Sequence, residues 1–127
     1  MAWFWEKKKV GKGPDYAHID SAEKAQQLVS RGELVTILLM PEAFGGEAFP
    51  ANIVYVPPFA AHVKTSTDEN IIRPLAEEGK IKRYSAKAEY SGKSFVPIAL
   101  KLVASDPGSF TYDIAIWGEA LGRGGTD

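Results

Sequence analysis

The chain reads as an α+β protein, a mainly antiparallel sheet of about five strands with two helices packed on one face, in the order α-β-β-α-β-β-β. Three observations lead there. Residues 21–31 and 58–78 repeat apolar side chains at helical spacing between caps, prolines and glycines. Two short runs, ELVTILLM and NIVYV, are dense in apolar and β-branched residues. The last third alternates with period two and is cut by Ser91-Gly92 and Asp106-Pro107-Gly108, the punctuation of a meander.

Each element has a local reason. Asp20 is placed to cap the first helix, with Glu23 three residues on as a capping-box variant, and Ala22, Ala25, Leu28 and Val29 form a narrow apolar stripe that Gly32 ends. In ELVTILLM, Leu34, Val35, Ile37, Leu38, Leu39 and Met40 leave almost no polar alternation, so this strand is covered on both faces until Pro41 stops it. Residues 41–51 then separate it from NIVYV, more chain than a tight hairpin needs.

The second helix opens on Pro57-Pro58 and closes on Gly79, with Phe59, Val63, Ile71 and Leu75 as its apolar stripe. TSTD offers a second cap that would split it, and Pro74 predicts a bend. Three strands follow: KIKRYSAKAEY, SFVPIALKLVA and SFTYDIAIW. In the last, Phe110, Tyr112, Ile114 and Ile116 alternate with Thr111, Asp113, Ala115 and Trp117, giving one buried and one partly wet face.

With 127 residues, 45% of them apolar and 24% charged, the chain has the size and composition of one globular domain, placed at residues 20–118. An aromatic and basic segment with a loop, residues 1–19, precedes it, and a flexible tail, residues 119–127, follows. Trp3 and Trp5 are expected to pack on the domain's own sheet rather than dip into a membrane interface. A formal charge of −1 gives no field for nucleic acid, and Lys7-Lys8-Lys9 reads as a solvated flank. The absence of cysteine excludes disulfides, thiolate metal sites and cysteine nucleophiles. Nothing resembles a secretory signal or a membrane span, so the expected location is cytoplasmic.

Motifs for chemistry are missing: there is no phosphate-loop lysine, no dinucleotide fingerprint, no nucleophile elbow and no zinc-helix histidine pair. Asp15, His18 and Asp20 read as a helix entry rather than a metal site, and no cofactor or metal is implied. Glu89 and Asp113 fall where alternation predicts solvent. The richest surface candidate is the loop carrying Phe44, Gly45, Gly46, Glu47 and Phe49, together with Tyr84, Tyr90 and Trp117 on the less buried sheet face.

The functional expectation is therefore a small cytosolic, non-catalytic interaction protein that binds a protein partner through this loop and face, the profile of a stand-alone bacterial immunity or accessory protein. A different class has the Gly-Gly loop as the lid of a small-ligand pocket or modest active site at the start of the second helix, served by Glu47, His62 and Lys64. Homodimerisation through an edge strand is a third expectation.

Overall fold

The computed structural model describes residues 14–123, so Trp3, Trp5, the lysine run and residues 124–127 lie outside the described residues. The described chain is α+β in the expected element order. Helix α1 spans Ala22–Ser30 and turns Ala25 and Leu28 into the core. Its cap is Ser21, not Asp20: Ser21 sits in extended backbone and its Oγ accepts from the Lys24 amide at 3.1 Å. A cap must reach the second or third helical amide, and Asp20 lies one residue too early. Asp20 bonds the Lys24 ammonium instead, at 2.8 Å on the surface.

Strands β1 (Val35–Leu38) and β2 (Ile53–Val56) pair antiparallel, from Val35 opposite Val56 to Leu38 opposite Ile53. Strands β3 (Ile81–Glu89), β4 (Ala99–Pro107) and β5 (Ser109–Ala115) form a second antiparallel sheet in the order β3-β4-β5. The five expected strands are thus present as two plus three. Prolines at 50 and 57 bracket β2 and hold it to four residues. β4 begins at Ala99 rather than Ser94, because residues 94–97 are tied elsewhere. The Phe95 amide donates to Ile19 O at 2.7 Å, and Ser94 Oγ donates to Tyr16 O at 2.7 Å. Pro97 has no amide to offer a ladder.

Helix α2 (Pro58–Thr67) runs into a π turn (Asp68–Ile72) and on into α3 (Arg73–Glu77). Backbone angles stay helical at Thr67, Asp68, Ile72 and Arg73, so TSTD does not break the rod. The widening has a cause in Pro74, whose ring would collide with the carbonyl four residues back and which cannot donate. The Arg73 amide accordingly reaches Asp68 O, five residues back.

Only part of the apolar stripe expected on this rod faces inward: Val63 and Leu75 are half-buried against the core clusters. Phe59 is 49% and Ile71 38% exposed, whereas Ala60, Lys64, Thr67, Asp68 and Ile72 are buried. Charged side chains can face inward here because they satisfy one another, as shown below. The segment expected to be a flexible tail starts as a short helix, α4 (Glu119–Arg123), whose Ala120 is buried.

The main core gathers Leu34, Val54, Val56, Ile98, Leu100 and Ile116, among others, each contributing about 1.5–3 kcal/mol through burial. A smaller cluster, Ile72, Ile81 and Ala104, lies under the π turn with Phe44, Leu75, Tyr84 and Phe110 packed on it. No helix among the described residues is long and apolar enough to cross a membrane.

Candidate functional site

The long connection between β1 and β2 is a built structure. Pro41 leads into a 3-10 turn, Glu42–Phe44, and Gly45 ends it in the left-handed region at φ 93°, where a side chain would be strained. Gly46 is required for a different reason. A Cβ there would stand 1.8 Å from the Met40 carbonyl oxygen, an impossible approach. Asn52, 7% exposed, staples the loop across its base. Its Oδ1 accepts from the Met40 amide at 2.8 Å, and its Nδ2 donates to Met40 O at 3.0 Å and Glu47 O at 2.9 Å. A loop pinned by three hydrogen bonds at one buried amide is ordered without a ligand.

The loop places Phe44 edge-on against Tyr84 of β3, with ring centroids 6.0 Å apart. The Tyr84 hydroxyl donates to Asp68 Oδ1 at 2.6 Å, and Lys64 Nζ donates to Asp68 Oδ2 at 2.5 Å. Lys64 also lies 5.8 Å from the Tyr84 ring centroid. The side chains of Lys64 and Asp68 are 2% and 6% exposed. Burial, and then the Asp68 carboxylate at its oxygen, push the Tyr84 phenol well above the usual tyrosine range, so it remains a donor. Beside the trio, a cleft of about 430 Å³ is lined by Met40, Phe44, Ile72, Ala76 and Tyr84, with Lys82 and Arg83 at the strand. The ammonium and carboxylate do not line it. They are spent on each other, and the trio is a structural lock.

A further surface feature lies elsewhere among the described residues. A groove of about 470 Å³ runs between the start of α1, β2 and the turn after β3, with Pro50, Ile53, Tyr55, Tyr90 and Phe95 on its walls and Ala22 and Ser94 at its margin. Tyr90 is 48% and Phe95 41% exposed, and Phe49, next to Pro50, is 51% exposed. Gln26 Nε2 donates to the Tyr55 hydroxyl at 2.9 Å and fixes that ring at the α1 side. Partial burial pushes the Tyr90 phenol up, leaving it neutral in the groove wall.

No protein-family model, curated protein or solved structure matches the chain. The site is therefore argued from its own residues. Of those singled out in the sequence, the fold joins Phe44 to Tyr84, and Tyr84 to Lys64, and sets Tyr90 in the groove wall, with Phe49 next in sequence to the groove's Pro50. Gly45 and Gly46 shape the loop rather than offer a surface, and the Glu47 side chain is exposed.

Trp117 does not stand on the wet sheet face. It is 6% exposed, donates from Nε1 to Val96 O at 2.9 Å and meets Tyr16 edge-on at 6.1 Å. β5 ends at Ala115, so the alternation that placed Trp117 outward no longer holds two residues later. His62 is exposed on α2, and His18 is exposed at the helix entry, where Asp15 Oδ1 accepts from the Ala17 amide at 2.8 Å. Glu89 and Asp113 are exposed. No group of three or more metal-ligating side chains occurs among the described residues.

Sequence reasoning missed Asp68, Tyr55 and Phe95. The spacing of Lys64 and Asp68, four residues apart on one helix, was the available signal for the first. Tyr55 and Phe95 carry no signal until β2 and residues 90–95 are brought together.

Proposed function

We propose that the chain is a non-catalytic binding protein that docks a protein partner on the groove formed by Pro50, Tyr55, Tyr90 and Phe95, beside the stapled loop. One observation carries the reading: two large aromatic side chains, Tyr90 and Phe95, stand nearly half exposed in the wall of one apolar depression beside Tyr55, and half-exposed Phe49 is next in sequence to its Pro50. Clustered exposed aromatics mark interaction surfaces, because they bury much area for little lost side-chain entropy. Among the described residues the titratable groups offer no competing reaction centre: Lys64, Asp68 and Tyr84 pair with one another, and His62 is exposed on the second helix. An accessory or immunity-type role in the cytoplasm belongs to this proposal.

The test is affinity capture from native-cell lysate after mild cross-linking. Three baits are compared: wild type, Tyr90→Ser with Phe95→Ser, and Tyr112→Ser, which alters an exposed tyrosine on β5. The expected result is a partner held by wild type and the β5 variant and lost from the groove variant, with all three folded by circular dichroism. Capture that is indifferent to the groove, or no capture, would overturn the reading.

A further inference from the structure

Resting on that binding reading, we infer that the groove takes an extended peptide strand, which adds between β2 and β3 and joins the two sheets into one. Among the described residues β2 pairs with β1 alone and β3 with β4 alone, so the outer edges of 53–56 and 81–88 have no strand neighbour there. Among the described residues, no loop or turn backbone bond ties 53–56 to 81–89.

The two edges face a common space. A second depression, of about 430 Å³, is lined by Ile53 and Val54 of β2 and by Ala86, Lys87 and Ala88 of β3. Side chains of consecutive strand residues point to opposite faces. Ala86, Lys87 and Ala88 alternate between the two faces of β3, so a depression that all three line reaches the edge of that strand, and Leu39, Pro50 and Ala51 place it at the Ile53 end of β2. This depression shares Pro50, Ile53 and Tyr90 with the aromatic groove, so the two are continuous.

The chemistry of the walls selects the occupant. Unpaired amides and carbonyls along two edges are satisfied by an extended chain, whose own main chain is free, and not by a helix, whose main-chain groups are used internally. Ala86 and Ala88 leave room beside β3 for a backbone and for alternate apolar side chains. Lys87 is the charged residue on the lining and matches an acidic side chain. At the far end Tyr55, Tyr90 and Phe95 accept an apolar or aromatic residue. The four residues of β2 set the length of two-sided pairing. Cationic side chains on β3 and prolines around β2 are the usual guards against unmatched edge pairing, and they leave the site to a peptide that complements them.

The probe is a set of linear twelve-residue peptides selected on the immobilised protein from a random display library. Amide hydrogen exchange is measured with and without the best peptide, and the peptide is remade with single backbone N-methyl groups. Strand addition predicts at least tenfold slower exchange in both 53–56 and 85–88. It also predicts tenfold weaker binding on N-methylation at alternate positions and little change between them. Peptides that need Tyr90 and Phe95 yet slow neither strand and tolerate N-methylation would overturn strand addition while leaving the binding reading intact. Selection of no linear peptide overturns it too, and the lysate capture then judges the binding reading separately. Concentration-dependent self-association that protects the same amides assigns the edges to a second copy and also overturns it.

Discussion

Asp68→Asn tests whether the Lys64, Asp68 and Tyr84 trio holds the rod to the sheet. The substitution keeps volume but leaves the Lys64 ammonium, 2% exposed, without its counter-charge. Removing one partner of a buried ion pair costs about 3–5 kcal/mol. Two residual attractions reduce this: the asparagine oxygen still accepts a hydrogen bond, worth about 1 kcal/mol, and the Tyr84 ring face remains near the ammonium. The expected loss is about 3 kcal/mol in urea unfolding, or about 10–15 °C in melting temperature for a domain of this size. The discriminating variant is Lys64→Met with Asp68→Asn, which removes both charges. Because the remaining amide can still pair with the Tyr84 hydroxyl, the double variant is expected within about 1–2 kcal/mol of wild type, a coupling of at least about 2 kcal/mol. Additive single losses, or a single loss below about 1 kcal/mol, would show that water reaches the pair and would refute the lock.

Gly46→Ala is expected to cost about 3 kcal/mol or more, since a methyl group 1.8 Å from the Met40 oxygen forces the backbone apart. Gly45→Ala, which meets nothing within 4 Å and suffers only its positive φ, costs about 1–2 kcal/mol, and parallel urea melts decide the order. At alkaline pH the raised Tyr84 phenol keeps its proton in the folded state while the unfolded tyrosine loses it above about pH 10. Its contribution is full below that pH and falls as pH rises further, by up to about 1.4 kcal/mol per unit. Tyr84→Phe should therefore lower stability at neutral pH yet flatten the decline above pH 10, although Tyr16 and Tyr90, also raised by burial, retain part of it.

Much of the fold was legible because it depends on local rules. Gly32, Pro41 and Gly79 act within a few residues of themselves, and the elements they bound end close to where expected, whereas the Ser91-Gly92 turn closes β3 as expected but β4 starts only at Ala99. The second helix was legible in extent but not in orientation. Single-residue hydropathy ranks Lys64 and Asp68 outward, and only their pairing, completed by a tyrosine sixteen residues further on, allows them in. The split into two sheets was invisible for a related reason: period two reports which face a residue takes, never which edge finds a neighbour. Of the candidate site, Phe49 and Tyr90 were readable as aromatics near turn signals. The groove that Tyr90 lines needed Tyr55 and Phe95, which are brought in by the pairing of β2 and by the tie of residue 95 to Ile19.

The widened turn at Asp68–Ile72 has a geometrical consequence for everything the rod carries. In a uniform α-helix, residues four apart drift about 40° around the axis at each step, so a column of them spirals away from any flat surface. Ala60, Lys64, Asp68 and Ile72 form such a column, and all four are buried. The extra residue taken up by the π turn cancels drift where it has accumulated most. A proline, usually read as a defect in a helix, thereby keeps the buried column continuous from Ala60 to Ile72.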